Sequence, residues 1–269
     1  MSLDPRPLAL DLPAALDHFR AEGYARLGRL LSPEGLGLLQ GRLDAMMQGE
    51  ITYPGLFFQM DSPTGRYEDL RRGQGWEGPS LDYRKLEKLE RDPLFRAWLE
   101  NPVFEQIARA LLGEAISLCR AVAFHKPSRG GSPLPWHQDG GYFWGLDRNP
   151  ILQIWTALDD ATRDGGCLEV LPRSHLAGLA TPMGGVVPAP HLDRERADER
   201  ALALPAQAGE VILLHNHLWH RSGSSQTGQR RRAFTVCYMD AATRCTRKKK
   251  APREFVRLFT GATRAEKIA

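Results

Sequence analysis

The sequence predicts a mainly β fold with flanking helices: a double-stranded β-helix core, jelly-roll or cupin-like, behind an N-terminal helical buttress. Three observations predict it. Up to about residue 115 the chain carries helix-start signals and apolar residues at 3.6-residue spacing. From Ile116 the pattern turns to short strand-like runs. Within those runs lie three residues suited to one metal ion, His137, Asp139 and His220. Helices followed by many short strands, with a metal inside, suit a double-sheet jelly roll with helices packed outside.

The elements follow in order. Leu12, Ala15, Leu16 and Phe19 share one helical face. Ser32-Pro33 supplies an N-cap and a first helical position, and Leu36, Leu39, Leu43 and Met46 continue that helix. Asp92-Pro93 and Asn101-Pro102 repeat the start signal, and Gly113 closes a helix carrying Phe104, Ile107 and Leu111. Residues 49–81 are rich in Gly, Pro and aromatics without periodicity. A loop of that length in a compact chain is usually functional, so this segment is expected to form a lid with Phe57, Phe58 and Trp76 near a substrate. Five strands are clear: Ile116–Phe124, Ile151–Leu158, Cys167–Leu171, Glu210–Leu214 and Ala233–Met239. Residues 182–205 look like a long connection. One domain is expected over 1–269: helices and lid to about 115, jelly roll to about 240, and a basic C-terminal tail over 241–269.

Composition bounds the class. Hydrophobic residues make up 42% and charged residues 25%, ordinary for a globular protein. No apolar stretch approaches the roughly 18–20 residues that cross a bilayer. The N-terminus lacks the basic-then-apolar pattern of a signal peptide, and Cys119, Cys167, Cys237 and Cys245 form no C-x-x-C. A cytoplasmic protein with reduced thiols is the expectation. Net charge is +4, with basic clusters at Arg230–Arg232 and Arg247–Lys250. Such clusters usually form a solvated face; an anionic substrate or nucleic acid is the sharper reading.

The chemistry sits in His137-Gln138-Asp139, with His220 following 81 residues later and Arg231 another 11 on. Strand side chains at i and i+2 share a face, so His137 and Asp139 can offer a nitrogen and an oxygen to one ion. A second histidine from a distant strand completes a two-histidine, one-carboxylate triad. That set suits Fe(II) and leaves positions open for a co-substrate and O2. Structural zinc would want four protein ligands, and no cysteine is placed to help. In a regular strand Arg231 points opposite to Arg230 and Arg232, and its guanidinium fork matches a carboxylate. His215 and His217 read as core residues on the face opposite His220.

Three ordered blocks carry a family resemblance: Trp136-His137-Gln138-Asp139, Gly165-Gly166-Cys167-Leu168-Glu169-Val170-Leu171-Pro172-Arg173-Ser174-His175, and His220-x-Ser222-Gly223 with Arg231 beyond. Over about residues 12–240 the chain resembles the phytanoyl-CoA dioxygenase family of Fe(II)/2-oxoglutarate-dependent oxygenases. The resemblance implies iron on His137, Asp139 and His220. It implies 2-oxoglutarate on Arg231, helped by Ser222, with Trp155 beside it and Lys85 as a basic residue reaching it in some members. It implies a small-molecule substrate consumed with O2, succinate and CO2 being released. Halogenating relatives lack the carboxylate, so Asp139 favours hydroxylation or a related oxidation. Two rivals stay open. A nucleic-acid dealkylating oxygenase would use the same ligands, but its pattern has a second arginine six residues past the first, where this chain has Cys237. A non-catalytic jelly-roll binding protein would need neither the triad nor the arginine. The substrate and the oligomeric state are not legible.

Overall fold

The structure, a computed structural model, describes residue 3 and residues 10–71, 73, 75–128, 131–248 and 253–260. In chain order its elements are α1 Leu12–Glu22, β1 Tyr24–Arg29, α2 Pro33–Met47, β2 Phe57–Met60, β3 Tyr83–Glu87, α3 Pro93–Leu99, α4 Pro102–Leu112, β4 Ile116–Lys126, β5 Leu134–Gln138, β6 Leu152–Ala157 and β7 Leu168–Leu171. Then come β8 Gly185–Val186, α5 Ala189–Glu195, β9 Leu202–Leu204, β10 Glu210–His215, β11 Trp219–Ser222, β12 Arg231–Asp240 and β13 Arg257–Phe259. The helix starts fall where the caps predict. Asp11, Ser32, Asp92 and Asn101 each accept a backbone N–H of the following turn. Such a cap is worth about 1 kcal/mol against alanine.

Two antiparallel sheets face each other. The larger runs β1-β10-β6-β12-β4-β3-β2, with β13 pairing β4, and the smaller runs β8-β5-β11-β7-β9. Period-2 alternation splits each central strand between two environments. On β12, Phe234, Val236 and Tyr238 join the helix-side core with Trp98, Phe95, Phe104 and Leu43. Ala233 joins Trp155, Ile212, Leu214 and Val170 between the sheets. Both faces of β12 are therefore buried, which fits the mostly apolar run from Ala233 to Met239.

Three expectations are corrected. The N-terminal part is not only helical: β1, β2 and β3 belong to the large sheet. Residues 49–81 are not a free loop: Phe58 is buried in the helix-side core, and Trp76, 43% exposed, covers its edge. Phe58 packs on Tyr83 with ring centroids 4.9 Å apart, and Trp76 stacks on Tyr83 at 5.7 Å. The connection 182–205 contains β8, α5 and β9. Of the basic tail, 249–252 and 261–269 lie outside the described residues, and 257–259 form an edge strand. Among the described residues, no helix is long and apolar enough to cross a membrane.

Candidate metal centre

β5 and β11 are neighbours in the small sheet, and their register sets His137 opposite His220. The ring centroids are 4.0 Å apart. Each imidazole is fixed by the carbonyl two residues upstream: Nδ1 of His137 lies 2.9 Å from the Pro135 carbonyl, and Nδ1 of His220 lies 2.8 Å from that of Leu218. A carbonyl only accepts, so Nδ1 carries the proton and Nε2 keeps a free lone pair in both rings.

Asp139 follows the end of β5. Its N–H donates to the Asn216 carbonyl at 2.8 Å, and Gln153 donates to its Oδ2 at 2.5 Å. Oδ2 stands 3.7 Å from Nε2 of His220. One ligand atom from each of the three residues fits within 4.8 Å of the others. Burial is the largest influence on His137 and pushes its imidazole down to about 4, aided by His220. Burial alone would raise the Asp139 carboxyl, but the two imidazoles, Arg120 and Gln153 hold it below its usual range. The neutral rings and the ionised carboxylate are the forms a cation requires.

The triad opens into a cleft between the sheets. Trp155, Ser222 and Arg231, which the family resemblance sets beside a co-substrate, line it. Arg231 is 4% exposed. Its Nη2 donates to the Gly166 carbonyl at 2.8 Å, while its buried Nε has no partner. Gly166 has φ +72°, and a Cβ there would stand 2.5 Å from the Gly223 carbonyl oxygen. Only glycine brings that carbonyl to the guanidinium without strain. Burial brings Arg231 down to about 10. Arg230 and Arg232 point to the helix side, as alternation requires. Arg230 pairs with Asp44, and Arg232 with Asp44 and Asp159. They are spent on the fold and form no free basic patch. Arg247 donates to the Phe143 carbonyl, while Lys249 and Lys250 lie outside the described residues.

Lys85 is a correction. Glu87, two residues on along β3, pairs with its ammonium, and both line a neighbouring cleft. Arg84 lines the metal cavity instead. Phe57, Phe58 and Trp76 are likewise not among the residues lining that cavity. His215 and His217 pack with His175 away from the triad, with rings 4.8 and 5.2 Å from that of His215. Sequence reasoning missed Gln153, Lys126, Arg120 and Thr235, all in the cavity wall. Gln153 had a signal: it stands two before Trp155 on β6 and so shares its face. Lys126 had none, because its place depends on the β4–β12 register.

The model of the family described as phytanoyl-CoA dioxygenase matches residues 19–233. A bovine (Bos taurus) phytanoyl-CoA dioxygenase domain-containing protein 1 is 30% identical over 159 residues, covering 56% of this chain and 54% of the relative. The chain thus matches about half the length of that relative. Among solved structures, EctD from S. alaskensis with 2-oxoglutarate and 5-hydroxyectoine superposes with a TM-score of 0.70 at 19% identity, covering 97% of this chain and 92% of the other. The epimerase SnoN, in complex with Fe3+, alpha ketoglutarate and nogalamycin RO, gives 0.68 at 16% identity, covering 94% and 95%. These likenesses carry the fold; the family match, across most of the chain, carries membership. The chain belongs to the phytanoyl-CoA dioxygenase family of Fe(II)/2-oxoglutarate-dependent oxygenases.

Proposed function

We propose that this chain is a non-haem Fe(II) oxygenase that uses 2-oxoglutarate and O2 to hydroxylate a small organic molecule, releasing succinate and CO2. One observation carries the reading. Three converging ligand atoms share a cavity with a buried guanidinium whose Nε is unused. The donor set of two imidazoles and one carboxylate fits Fe(II), and the unused donor fits a carboxylate. The SnoN structure with Fe3+ and alpha ketoglutarate and the EctD structure with 2-oxoglutarate share its fold.

His137, Asp139 and His220 would hold the iron. Arg231 and Ser222 would take the distal carboxylate of 2-oxoglutarate, with Trp155 packed beside it. The bound iron and 2-oxoglutarate supply the oxidising power. The protein supplies orientation and dryness. The Pro135 and Leu218 carbonyls fix the imidazole tautomers, and Gln153 fixes the carboxylate. Apolar Val122, Phe124, Leu134, Leu168 and Leu214 exclude water from the cleft. The triad and Arg231 lie inside a cleft between the sheets rather than on an open face, which favours a metabolite over a polymer.

The test is anaerobic loading with Fe(II) and 2-oxoglutarate, followed by O2. Succinate should form with O2 uptake in the wild type and fall to background in Asp139→Ala. Equal succinate from both would overturn the reading.

A further inference from the structure

Two cations stand side by side in the cavity wall. Lys126 and Arg231 are directly opposed residues of β4 and β12 and line the same cleft. Lys126 is 6% exposed and Arg231 4%. Like charges directly opposed on one sheet face repel, and burial strengthens the repulsion. Yet each is bonded to a neutral carbonyl rather than a carboxylate: Lys126 Nζ donates to Ser132 at 3.0 Å, and Arg231 Nη2 to Gly166. The charged groups facing Lys126 are Arg231 from β12, Arg84 from β3 and Asp61 from the segment after β2. Asp61 is engaged elsewhere, accepting from the Ser132 N–H at 3.0 Å and from the Ser132 hydroxyl.

We propose that Lys126 is a second co-substrate-binding residue, which joins Arg231 on the distal carboxylate of 2-oxoglutarate and takes up a proton as that dianion arrives. The proposal rests on the reading of this cavity as a 2-oxoglutarate site. Without the ligand, burial first, then Arg231 and Arg84, push the Lys126 ammonium down to about 6. At neutral pH the side chain is then mostly a neutral amine, which relieves the repulsion from Arg231. A carboxylate placed between Lys126 and the unused Nε of Arg231 reverses the balance, because a nearby opposite charge favours the ammonium. Nζ gains one proton from solvent and no covalent bond to carbon changes. The complex holds more protons than the free protein. Affinity therefore falls as pH rises above about 6, by at most about tenfold per pH unit, until the bound ammonium itself titrates.

Titration calorimetry of 2-oxoglutarate into the Mn(II)-loaded chain at pH 8 tests this, run in two buffers of different ionisation enthalpy. Uptake of about one proton is expected for the wild type and about none for Lys126→Met or Lys126→Arg. Lys126→Arg keeps a permanent charge and should keep most of the affinity. Lys126→Met should lose about tenfold or more at pH 6 and show a flattened pH dependence. Thermal melts confirm that both variants fold, and Lys126→Arg decides the matter if Lys126→Met does not. Binding by the wild type without proton uptake, or uptake that persists in Lys126→Arg, overturns the role of Lys126 and leaves the functional reading standing. A wild type that binds no 2-oxoglutarate overturns both.

Discussion

His137 and His220 are held in matching fashion: across the β5–β11 pair, each Nδ1 meets the backbone carbonyl two residues upstream. The strands therefore set both imidazole tautomers before any ion arrives. Asp139 differs, since it lies beyond β5 and takes its orientation from Gln153 on the opposite sheet. The carboxylate arm depends on a side chain, and the histidine arms depend on backbone.

That difference makes Gln153 the weak support of the centre. Gln153→Leu should keep the fold, because Gln153 is 5% exposed and leucine is of similar size. It should weaken metal binding by about 10- to 100-fold, the usual cost of losing a partner that orients a ligand. Mn(II) binding followed by electron paramagnetic resonance gives the number. Wild-type affinity in Gln153→Leu would show that Asp139 orients itself.

The three consecutive arginines should separate cleanly. Arg231→Ala should weaken 2-oxoglutarate binding by about 2–4 kcal/mol, the loss of a buried charge-assisted pair. Arg232→Ala should instead cost stability, about 3 kcal/mol, since it removes the guanidinium from the largely buried Asp159, while Asp44 keeps Arg230. Arg230→Ala, whose ion pair is about one-third exposed, should cost less than about 1 kcal/mol and leave binding alone. Denaturant midpoints beside 2-oxoglutarate titrations check all three. Equal effects would mean that strand alternation does not govern this run.

Much of this was legible in the sequence, for reasons that differ by element. Capped helices announce themselves through Asp, Ser or Asn before Pro, a local code. The His137–Asp139 pair was legible because the two residues are two apart, so local geometry brings them together; His220 joins them only through the β5–β11 register. Arg231 was separable from its neighbours by parity. Lys126 was not legible, because its meaning comes from the residue across the β4–β12 ladder, and register is not written in one strand. The same holds for β1. Tyr24–Arg29 is short, and it becomes a strand by pairing with β10, 181 or more positions along the chain. Lys85 failed as a site residue because a nearby carboxylate, Glu87, competes for its charge.

Acid should destabilise the fold through two histidines outside the triad. Burial lowers His125 to about 4, and burial followed by His175 lowers His215 to about 3. The unfolded value is about 6.5. The folded values lie below it, so stability is full above about 6.5. It is lost as pH falls towards about 4, where the unfolded chain binds protons that the folded chain refuses. Each group contributes a slope of at most about 1.4 kcal/mol per pH unit. Urea midpoints should fall steadily from pH 7 to pH 5. His125→Gln, which can still donate to the Tyr83 carbonyl, should flatten that decline. A variant with an unchanged slope would show that His125 titrates normally.

Gly166→Ala tests whether the backbone positions Arg231. At φ +72°, with the Gly223 carbonyl oxygen 2.5 Å from the new Cβ, the turn must open. The left-handed conformation costs a non-glycine residue about 1–2 kcal/mol, and the close contact adds to that. Opening the turn withdraws the carbonyl that receives Arg231 Nη2. The guanidinium is then free to rotate away from the cavity. Two effects should therefore appear together: a lower melting temperature and weaker 2-oxoglutarate binding, with metal affinity unchanged because His137 and His220 sit on β5 and β11 and Asp139 is held by Gln153. Loss of melting temperature with intact 2-oxoglutarate binding would mean that packing between the sheets, rather than Gly166, aims the guanidinium.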